Sequence, residues 1–171
     1  IVVLIIAILA GCQSTDKAAV NKDPYLLSRE KRLKNLQMLT HGGENAEAYL
    51  SFDQQRIIYQ ATSVEFSCDQ EFVMNLDGSR QRLVSTGKGR TTCGYFLPGD
   101  STILYASTHL ADENCPPPPD MSRGYVWKLY ENYDIFLASL QGNILKRLTD
   151  TAGYDAEATV SPRGDKIVFT S

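Results

Sequence analysis

The sequence predicts an all-β protein whose strands form part of a β-propeller of four-stranded antiparallel blades. A strand–turn–strand hairpin occurs at three places along the chain, Ala46–Thr62, Thr92–Thr108 and Tyr154–Ser171. A second hairpin follows each of the first two, at Gln70–Arg82 and Asp134–Lys146. Their strands are short and rich in β-branched and aromatic residues. Two hairpins per repeat give four strands, which is the unit of a propeller blade.

The spacing of the hairpins supports this architecture. Phe52, Pro98 and Pro162 stand at the same position of the three turns, 46 and 64 residues apart. The first distance fits one blade, and the second fits a blade with an insertion of about 18 residues. The chain would then hold an orphan outer strand, two blades and the first hairpin of a third. Such a set cannot close a ring of roughly four to eight blades.

The turns carry the residues that tight turns require. Pro162 presets φ for the last turn, and Gly164 can adopt a positive φ that other residues resist. Glycine also occupies the same place in the turns of the two second hairpins, at Asp77-Gly78 and Gln141-Gly142. The first copy, Ser51–Gln54, has neither proline nor glycine, so we expect a looser turn there.

The N-terminal sequence predicts a targeting signal. Ile1–Ala10 is almost purely apolar, too short to span a bilayer and typical of the central region of a secretory signal. Leu9-Ala10-Gly11-Cys12 resembles the lipobox of bacterial lipoproteins. That resemblance implies a signal peptide of residues 1–12, cleavage before Cys12 and lipidation of this cysteine, and Gln13 implies outer-membrane sorting. The alternative is an accidental apolar segment that ends in cysteine.

Residues 13–35 are predicted to form a polar tether with a short helix. Asp23-Pro24 could open that helix, with Asp as the N-cap and proline at the first helical position. Its basic side chains either touch anionic lipid beside the anchor or form a solvated face. The chain begins without methionine and ends inside a predicted strand, so we expect a fragment of a longer protein.

Several motifs of the repeat carry a family resemblance. They are Asp134–Phe136, Arg147-Leu148-Thr149, Asp155–Ala158, and Ser161–Asp165 followed by Ile167 and Phe169. Together they resemble the WD-like β-propeller repeats of TolB and related periplasmic proteins. The resemblance covers residues 36–171, and it departs from the pattern at Ser51–Gln54 and at Leu97, which replaces the usual serine. It implies the repeat type and leaves the function open, because such propellers serve many roles.

The resemblance also implies how the ring closes. Leu36–Thr40 is similar to the outer strands at Arg82-Leu83-Val84 and Arg147-Leu148-Thr149, yet no inner strands precede it. In TolB-like propellers the N-terminal strand often completes the last blade. We therefore expect Leu36–Thr40 to be an orphan outer strand, and its blade to be missing from this chain.

The scheme of blade strands a to d, from the centre outwards, places the candidate binding residues. The d–a and b–c loops lie on one face of the ring, and this face includes the insertion Leu110–Tyr133. Glu47, Cys93 and Glu157 take the same repeat position at the mouth of the central channel. Loop-rich faces of this kind often bind ligands. The candidate binding residues are His41, Glu47, Cys93, His109, Trp127, Tyr130, Asp155 and Glu157.

Three cysteines remain if Cys12 is lipidated. In an oxidising compartment one disulfide among Cys68, Cys93 and Cys115 is expected. A Cys68–Cys93 bond would join neighbouring blades, whereas a Cys93–Cys115 bond would pin the insertion over the channel. A metal site that uses Cys93, Cys115 and the two histidines lacks compact ligand spacing. No metal and no cofactor are therefore expected.

Composition and motifs favour a binding module over an enzyme. The net charge of −3 and the absence of a basic stripe argue against nucleic acid as a partner. Glu47 and Glu157 could share acid and base roles, but no motif of a common catalytic site occurs. We expect a non-catalytic, lipid-anchored protein on the periplasmic side of the cell envelope, with a protein or peptidoglycan-associated partner. The alternative is the propeller of a periplasmic hydrolase similar to prolyl oligopeptidase, and a metal-dependent propeller lyase or lactonase is a fainter one.

Overall fold

The computed structural model describes residues 25–27 and 29–171. These residues separate into two units, one that ends at Met38 and one that spans Leu39–Ser171. The second unit contains eleven β-strands and no helix. The strands are β1 (Asn45–Leu50), β2 (Arg56–Ala61), β3 (Gln70–Asn75), β4 (Arg82–Leu83), β5 (Thr91–Phe96), β6 (Thr102–Ser107), β7 (Asn132–Ser139), β8 (Ile144–Arg147), β9 (Gly153–Tyr154), β10 (Ala156–Val160) and β11 (Ile167–Thr170).

The strands form repeated antiparallel sheets. β1–β4 form one four-stranded sheet, which we call blade 1, and β5–β8 form a second, blade 2. In both blades the strands lie side by side in chain order. β10 and β11 pair as the first hairpin of blade 3, and the short β9 pairs in parallel with β7. The predicted repeat of four-stranded antiparallel units is therefore confirmed.

Neighbouring blades bury their apolar faces against each other. One core joins Ile58, Val73 and Val84 of blade 1 to Phe96, Ile103, Tyr105, Phe136, Ala138 and Leu140 of blade 2. Ala158 of blade 3 packs on Leu104 and Ile135 of blade 2 in a second core. Each fully buried large side chain stabilises a fold by roughly 1.5–3 kcal/mol. Since an isolated hairpin is marginal in water, the contacts between blades are what stabilise this architecture.

The turns between the first two strands of each repeat share one backbone conformation. The fourth turn residue has a positive φ in all three copies: 56° at Gln54, 54° at Asp100 and 71° at Gly164. The prediction for Gly164 is thus confirmed. In each turn this residue's N–H donates to the carbonyl three positions earlier, over 2.8–3.0 Å. The expectation of a looser turn at Ser51–Gln54 is therefore wrong.

The first turn is held by the following blade. The Asp100 carboxylate accepts hydrogen bonds from the backbone N–H groups of Phe52 and Asp53, both at 2.8 Å. The Arg56 guanidinium returns a bond to the Asp100 carbonyl at 3.1 Å. These contacts supply from blade 2 the constraint that proline and glycine would otherwise supply locally. Asp100 thereby links two blades at the end of the molecule that carries these turns.

Each inner strand contains a β-bulge at the same repeat position. Glu47, Cys93 and Glu157 have φ values of 48°, 59° and 59°, and the strand register shifts around each of them. A left-handed backbone is uncommon for these residue types, and a bulge re-aims the side chain that it carries. The predicted equivalence of these three positions is therefore matched by an identical backbone feature.

The outer strands show that the motif alignment needs a shift of one residue. Leu83 pairs with Phe72, and Arg147 pairs with Phe136 at the equivalent place. The side-chain hydroxyls of Ser85 and Thr149 accept hydrogen bonds from the repeat-equivalent backbone N–H groups of Glu71 and Ile135, both at 3.0 Å. Leu83-Val84-Ser85, not Arg82-Leu83-Val84, therefore corresponds to Arg147-Leu148-Thr149.

Two expectations for the N-terminal region are not met in the described residues. Asp23-Pro24, the predicted start of the short helix, lies outside the described residues; residues 25–27 and 29–38 are irregular with a few turns and bends and contain no helix, and Leu27 and Leu33 are exposed. A short helix without packing on its apolar stripe is marginal in water. Leu36–Thr40 is not a strand either, although Leu39 packs on Tyr59 and Met74 of blade 1.

The predicted signal peptide and Cys12 lie outside the described residues, so both remain predictions. Within residues 25–27 and 29–171, no helix is long and apolar enough to cross a bilayer.

Candidate functional site

The insertion between β6 and β7 is fixed to blade 1 by a disulfide. Cys115 in the insertion bonds to Cys68, in the loop between β2 and β3, with their Cα atoms 5.6 Å apart. Both pairings considered from the sequence are therefore wrong, because each required Cys93. The thiol of Cys93 is free and buried in the inner strand of blade 2, so it cannot reach the loops.

A cavity of about 210 Å³ lies beneath this insertion, and we call it the covered cavity. Its aromatic walls are Tyr125, Trp127, Tyr130, Tyr133 and Tyr154. Its charged groups are Glu44, Asp69, Arg90 and Lys128, and Thr92, Pro119, Met121 and Val126 complete the lining. A concave surface with mostly aromatic walls and a few charged groups is the usual form of a ligand site.

The covered cavity is built from equivalent positions of the repeat. Glu44, Arg90 and Tyr154 precede the inner strands of the three repeats, and the repeat spacings of 46 and 64 residues superimpose them. Asp69 and Tyr133 are likewise equivalent, at the starts of the third strands. The same backbone positions thus supply an acid, a base and aromatic rings. Their chemistry differs from blade to blade while the framework is constant.

Arg90 is the central polar group of the covered cavity. Its Nε lies 3.8 Å from Asp69 Oδ2, and its guanidinium carbon lies 5.6 Å from the centre of the Tyr130 ring. The Lys128 ammonium also lies over this ring, at 4.9 Å. The Tyr130 hydroxyl donates to the Pro117 carbonyl at 3.1 Å. The two cations and the hydrogen bond to the proline run therefore hold Tyr130 in place.

Burial controls the ionisation of the groups in this cavity. Desolvation raises the pKa of Asp69, and nearby Glu44 adds to the rise while Arg90 opposes it. Desolvation also raises the pKa of Tyr154 to about 12 and that of Tyr133 further. The two rings pack edge to face at 5.5 Å. Since both phenols stay neutral at ordinary pH, they can offer hydrogen bonds and ring faces but cannot act as bases.

The three bulge residues line a second cavity of about 250 Å³ between the inner strands, the inner-strand cavity. Its other lining residues are Tyr49, Tyr95, Ala158 and Thr159. Burial raises the pKa of Cys93 to about 12, and the adjacent Glu47 adds to this rise. A neutral, buried thiol is a poor nucleophile. The Thr170 hydroxyl donates to Glu157 at 2.7 Å, which fixes that carboxylate.

A chain of polar side chains supports Cys93 from behind. The Thr92 hydroxyl lies 3.2 Å from the Cys93 sulfur and donates to the Gln60 side-chain carbonyl at 2.8 Å. The Cys93 thiol also forms a side-chain hydrogen bond with Glu47. This pattern satisfies a buried thiol and gives it a structural role.

The structure distributes the predicted binding residues over several places. Trp127 and Tyr130 lie in the covered cavity, and Glu47, Cys93 and Glu157 lie in the inner-strand cavity. The remaining three predicted residues, His41, His109 and Asp155, lie in neither.

Two of these three are held inside the fold. The His109 ring packs at a tilt against the Phe136 ring, with the ring centres 4.5 Å apart, and its Nδ1 lies 2.8 Å from the Ser107 hydroxyl. Burial lowers the pKa of His109, which suits a neutral packed ring. Asp155 is buried and its N–H donates to the Tyr133 carbonyl at 3.1 Å.

His41 lies apart, in a separate cavity on blade 1. No group of three His, Cys, Asp or Glu side chains is placed to hold a metal ion in the part of the chain that the structure describes.

Sequence reasoning missed the residues that form the base of the covered cavity, namely Asp69, Arg90, Tyr133 and Tyr154. A signal for them was present. Extending the alignment of the three inner strands by three residues towards the N-terminus superimposes Glu44, Arg90 and Tyr154. Because these three equivalent side chains differ in chemistry, packing within the repeat does not determine the residue type at this position.

Comparison with solved structures finds a similar fold in a protein from Agrobacterium tumefaciens assigned as TolB. The match covers 77% of this chain with a TM-score of 0.55 and 21% sequence identity. The chain folds as part of a TolB-like β-propeller. It spans 39% of the length of that structure, and at this identity the likeness concerns the fold alone. No family model and no curated protein matches the sequence.

Proposed function

We propose that this chain belongs to an envelope lipoprotein whose propeller binds a partner on its loop-rich face and performs no bond chemistry. The covered cavity carries the proposal. Repeat-equivalent residues form its base, and a disulfide holds the insertion that forms its roof. A rigid site of this kind binds without the entropic cost of ordering a loop.

The chemistry of the two cavities favours binding over catalysis. Acid–base or nucleophilic catalysis needs a group that changes its protonation near neutral pH or a paired nucleophile. Burial raises the pKa of Tyr133 and Tyr154 in the covered cavity, so both stay neutral, and the Cys93 thiol is buried and neutral. The two acidic and two basic side chains of the covered cavity can pair with charged groups of a partner, and its aromatic rings can pack on an apolar group. The non-catalytic role is therefore the simpler reading of these residues.

The envelope location rests on the N-terminal sequence. An apolar segment that ends in Leu9-Ala10-Gly11-Cys12 has the order of a lipoprotein signal, and two or more acyl chains give a stable anchor. The residues after Cys12 would tether the propeller to the periplasmic side of the outer membrane. Incorporation of labelled palmitate in the parent protein and its loss in Cys12→Ser would support this location. Absence of label from the parent protein would rule out the anchor.

Site-specific photo-crosslinking in cells tests the binding site. A photoreactive residue at position 127 of the full chain is expected to give a defined crosslinked product. The matched control is position 64, because Val64 is fully exposed and lies outside the covered cavity. Muramidase treatment of the product separates a peptidoglycan partner from a protein partner. Identical patterns at both positions, or no product at position 127, would contradict partner binding at this site.

A cavity variant provides the second half of the test. Trp127→Ala removes an aromatic wall that is 53% exposed and is expected to leave the fold intact. Crosslinking from a photoreactive residue at the nearby position 125 should then fall at least about tenfold, the loss expected when an aromatic anchor is removed. Unchanged crosslinking in Trp127→Ala would show that the cavity wall does not contribute to binding.

A further inference from the structure

The contact between blades 1 and 2 contains a buried carboxyl group that the proposed binding site does not use. Glu71 on β3 has no exposed surface, and neither of its carboxyl oxygens has a hydrogen-bond partner in the protein. The hydroxyl of the fully buried Tyr105 is also without a partner. A buried carboxyl without hydrogen bonds is rare, because burial costs free energy that a partner normally offsets.

Gly94 on β5 provides the space for Glu71. A Cβ atom at this position would lie 2.3 Å from Glu71 Oε2 and 2.8 Å from Ile58 Cδ1. Since Gly94 does not have a positive φ, it is required for space rather than for backbone conformation. Glu71 and Gly94 therefore form a matched pair across the blade contact.

The next blade contact has an apolar pair at the same place. The repeat spacing of 64 residues superimposes Glu71 on Ile135 and Gly94 on Ala158. Ile135 and Ala158 are both buried in one core cluster. Blade packing by itself is thus satisfied by isoleucine and alanine. The glutamate and the glycine that accommodates it are a specific difference of the first contact.

The groups that face Glu71 do not neutralise its charge. Those that act on it are Glu47 from β1, Asp69 before β3, Cys93 from β5 and Tyr105 from β6. All four are acidic or neutral. Burial is the largest cause and raises the pKa of Glu71 to about 8; Glu47 and, less strongly, Asp69 add to the rise, while the backbone N–H of Gly94 opposes it.

We propose that the contact between blades 1 and 2 is a proton-dependent joint, closed while Glu71 holds its proton and loosened when Glu71 ionises. An ionised carboxylate at this place would be buried without a counter-charge, which strongly disfavours the packed state. The strands on the two sides of the joint, β1 and β5, directly follow Glu44 and Arg90 of the covered cavity. Loosening of the joint would therefore also change the geometry of the covered cavity.

The joint predicts the direction in which stability changes with pH. The ordinary pKa of glutamate is 4.5, and in the folded protein Glu71 keeps its proton up to about pH 8. Between these values the folded state binds more protons than the unfolded state, so stability falls as pH rises. The equilibrium constant for unfolding is expected to rise by up to about tenfold per pH unit in this window. Above pH 8 the contribution of Glu71 becomes constant.

Urea unfolding of the full chain between pH 5 and pH 9 tests the joint. The parent midpoint is expected to fall as pH rises, and Glu71→Gln should remove most of that slope. Glu65→Gln, which changes an exposed carboxylate, should keep the parent slope. Subtracting the variant curve from the parent curve cancels the titration of all other groups. An unchanged slope in Glu71→Gln would overturn the proposal.

A second variant keeps the test decisive if Glu71→Gln does not fold. Glu71→Ile combined with Gly94→Ala copies the residue pair of the next blade contact. This double variant is expected to fold and to show a flat pH dependence. Gly94→Ala alone should be much less stable than the double variant, because its Cβ meets the glutamate. A double variant with the parent slope would exclude Glu71 as the source of the pH dependence.

Discussion

Replacement of Asp100 tests whether the bond between successive turns stabilises the blade contact. Asp100 is 6% exposed and accepts two backbone hydrogen bonds from the turn of blade 1, both at 2.8 Å. A hydrogen bond to a charged group contributes about 1.5–3 kcal/mol. Phe52 is partly exposed, so its N–H can bind water after the change, and the lower value applies to each bond. The two bonds together then contribute about 3 kcal/mol.

The backbone at this position allows the bonds to be separated from conformational strain. Asp100 has a φ of 54°, where alanine is strained by roughly 1 kcal/mol relative to glycine. Asp100→Ala should therefore lower the free energy of unfolding by about 3–4 kcal/mol, and Asp100→Gly by about 2–3 kcal/mol. Gln54 has the same conformation but does not contact the next turn through its side chain. Gln54→Gly is the matched control and should stay within about 1 kcal/mol of the parent.

Chemical denaturation followed by circular dichroism and tryptophan fluorescence measures these differences in the full chain. A neutral surface substitution typically changes the free energy of unfolding by less than about 0.5 kcal/mol. If Asp100→Ala changes it by no more than this, the hydrogen bonds of Asp100 to the first turn do not stabilise the blade contact. If Asp100→Gly and Gln54→Gly changed the free energy of unfolding by the same amount, only the turn conformation would matter.

Two further predictions concern single residues. Gly43 has a φ of 67°, and a Cβ there would lie 2.1 Å from the Thr62 carbonyl oxygen, so Gly43→Ala should cost about 2–4 kcal/mol. Gly99→Ala, at a φ of 89° with open space around it, should cost only about 1 kcal/mol; equal losses in thermal denaturation would contradict this reasoning. Cys93 should react with iodoacetamide at pH 8 about a thousandfold more slowly in the folded protein than in urea, because burial raises its pKa from 9.0 to about 12 and lowers the thiolate fraction accordingly. Rapid labelling of the folded protein, measured by mass spectrometry, would show that this thiol is exposed.

The repeat architecture could be predicted from sequence because its signals are local. Each turn needs a left-handed residue at one position. Glycine at position 164 indicates this conformation in the sequence, whereas Asp100 and Gln54 do not. Where the turn residues themselves gave no signal, the repeat spacing identified the turns. The first turn shows the limit of this approach, since the residue that holds it is 47 positions away in the next blade.

The covered cavity was only partly predictable because its contacts are not local. Trp127 and Tyr130 were found from their place in a long insertion, but Arg90 looks like an ordinary polar residue before a strand. The Cys68–Cys115 bond depends on the path of the insertion, which no periodic pattern specifies. Leu36–Thr40 failed as a strand for a related reason. A strand needs a neighbour to satisfy its backbone, and a sequence match does not supply one.

Repeated backbones offer a way to separate function from packing in a protein of this kind. Where three copies share one backbone position, packing demands the same of each copy, so a change of chemistry needs another cause. Arg90 is equivalent to Glu44 and Tyr154 in the repeat alignment, and all three line the covered cavity. Glu71 is equivalent to Ile135 in the repeat alignment. The residue packed against it is Gly94 in the first blade contact, where the second contact has Ala158, and the missing Cβ leaves room for the glutamate. Because the neighbouring residue differs together with Glu71, the packing of the first blade contact is adapted to this polar group. The same reasoning supports both proposals, that the covered cavity binds a partner and that the first blade contact depends on a proton.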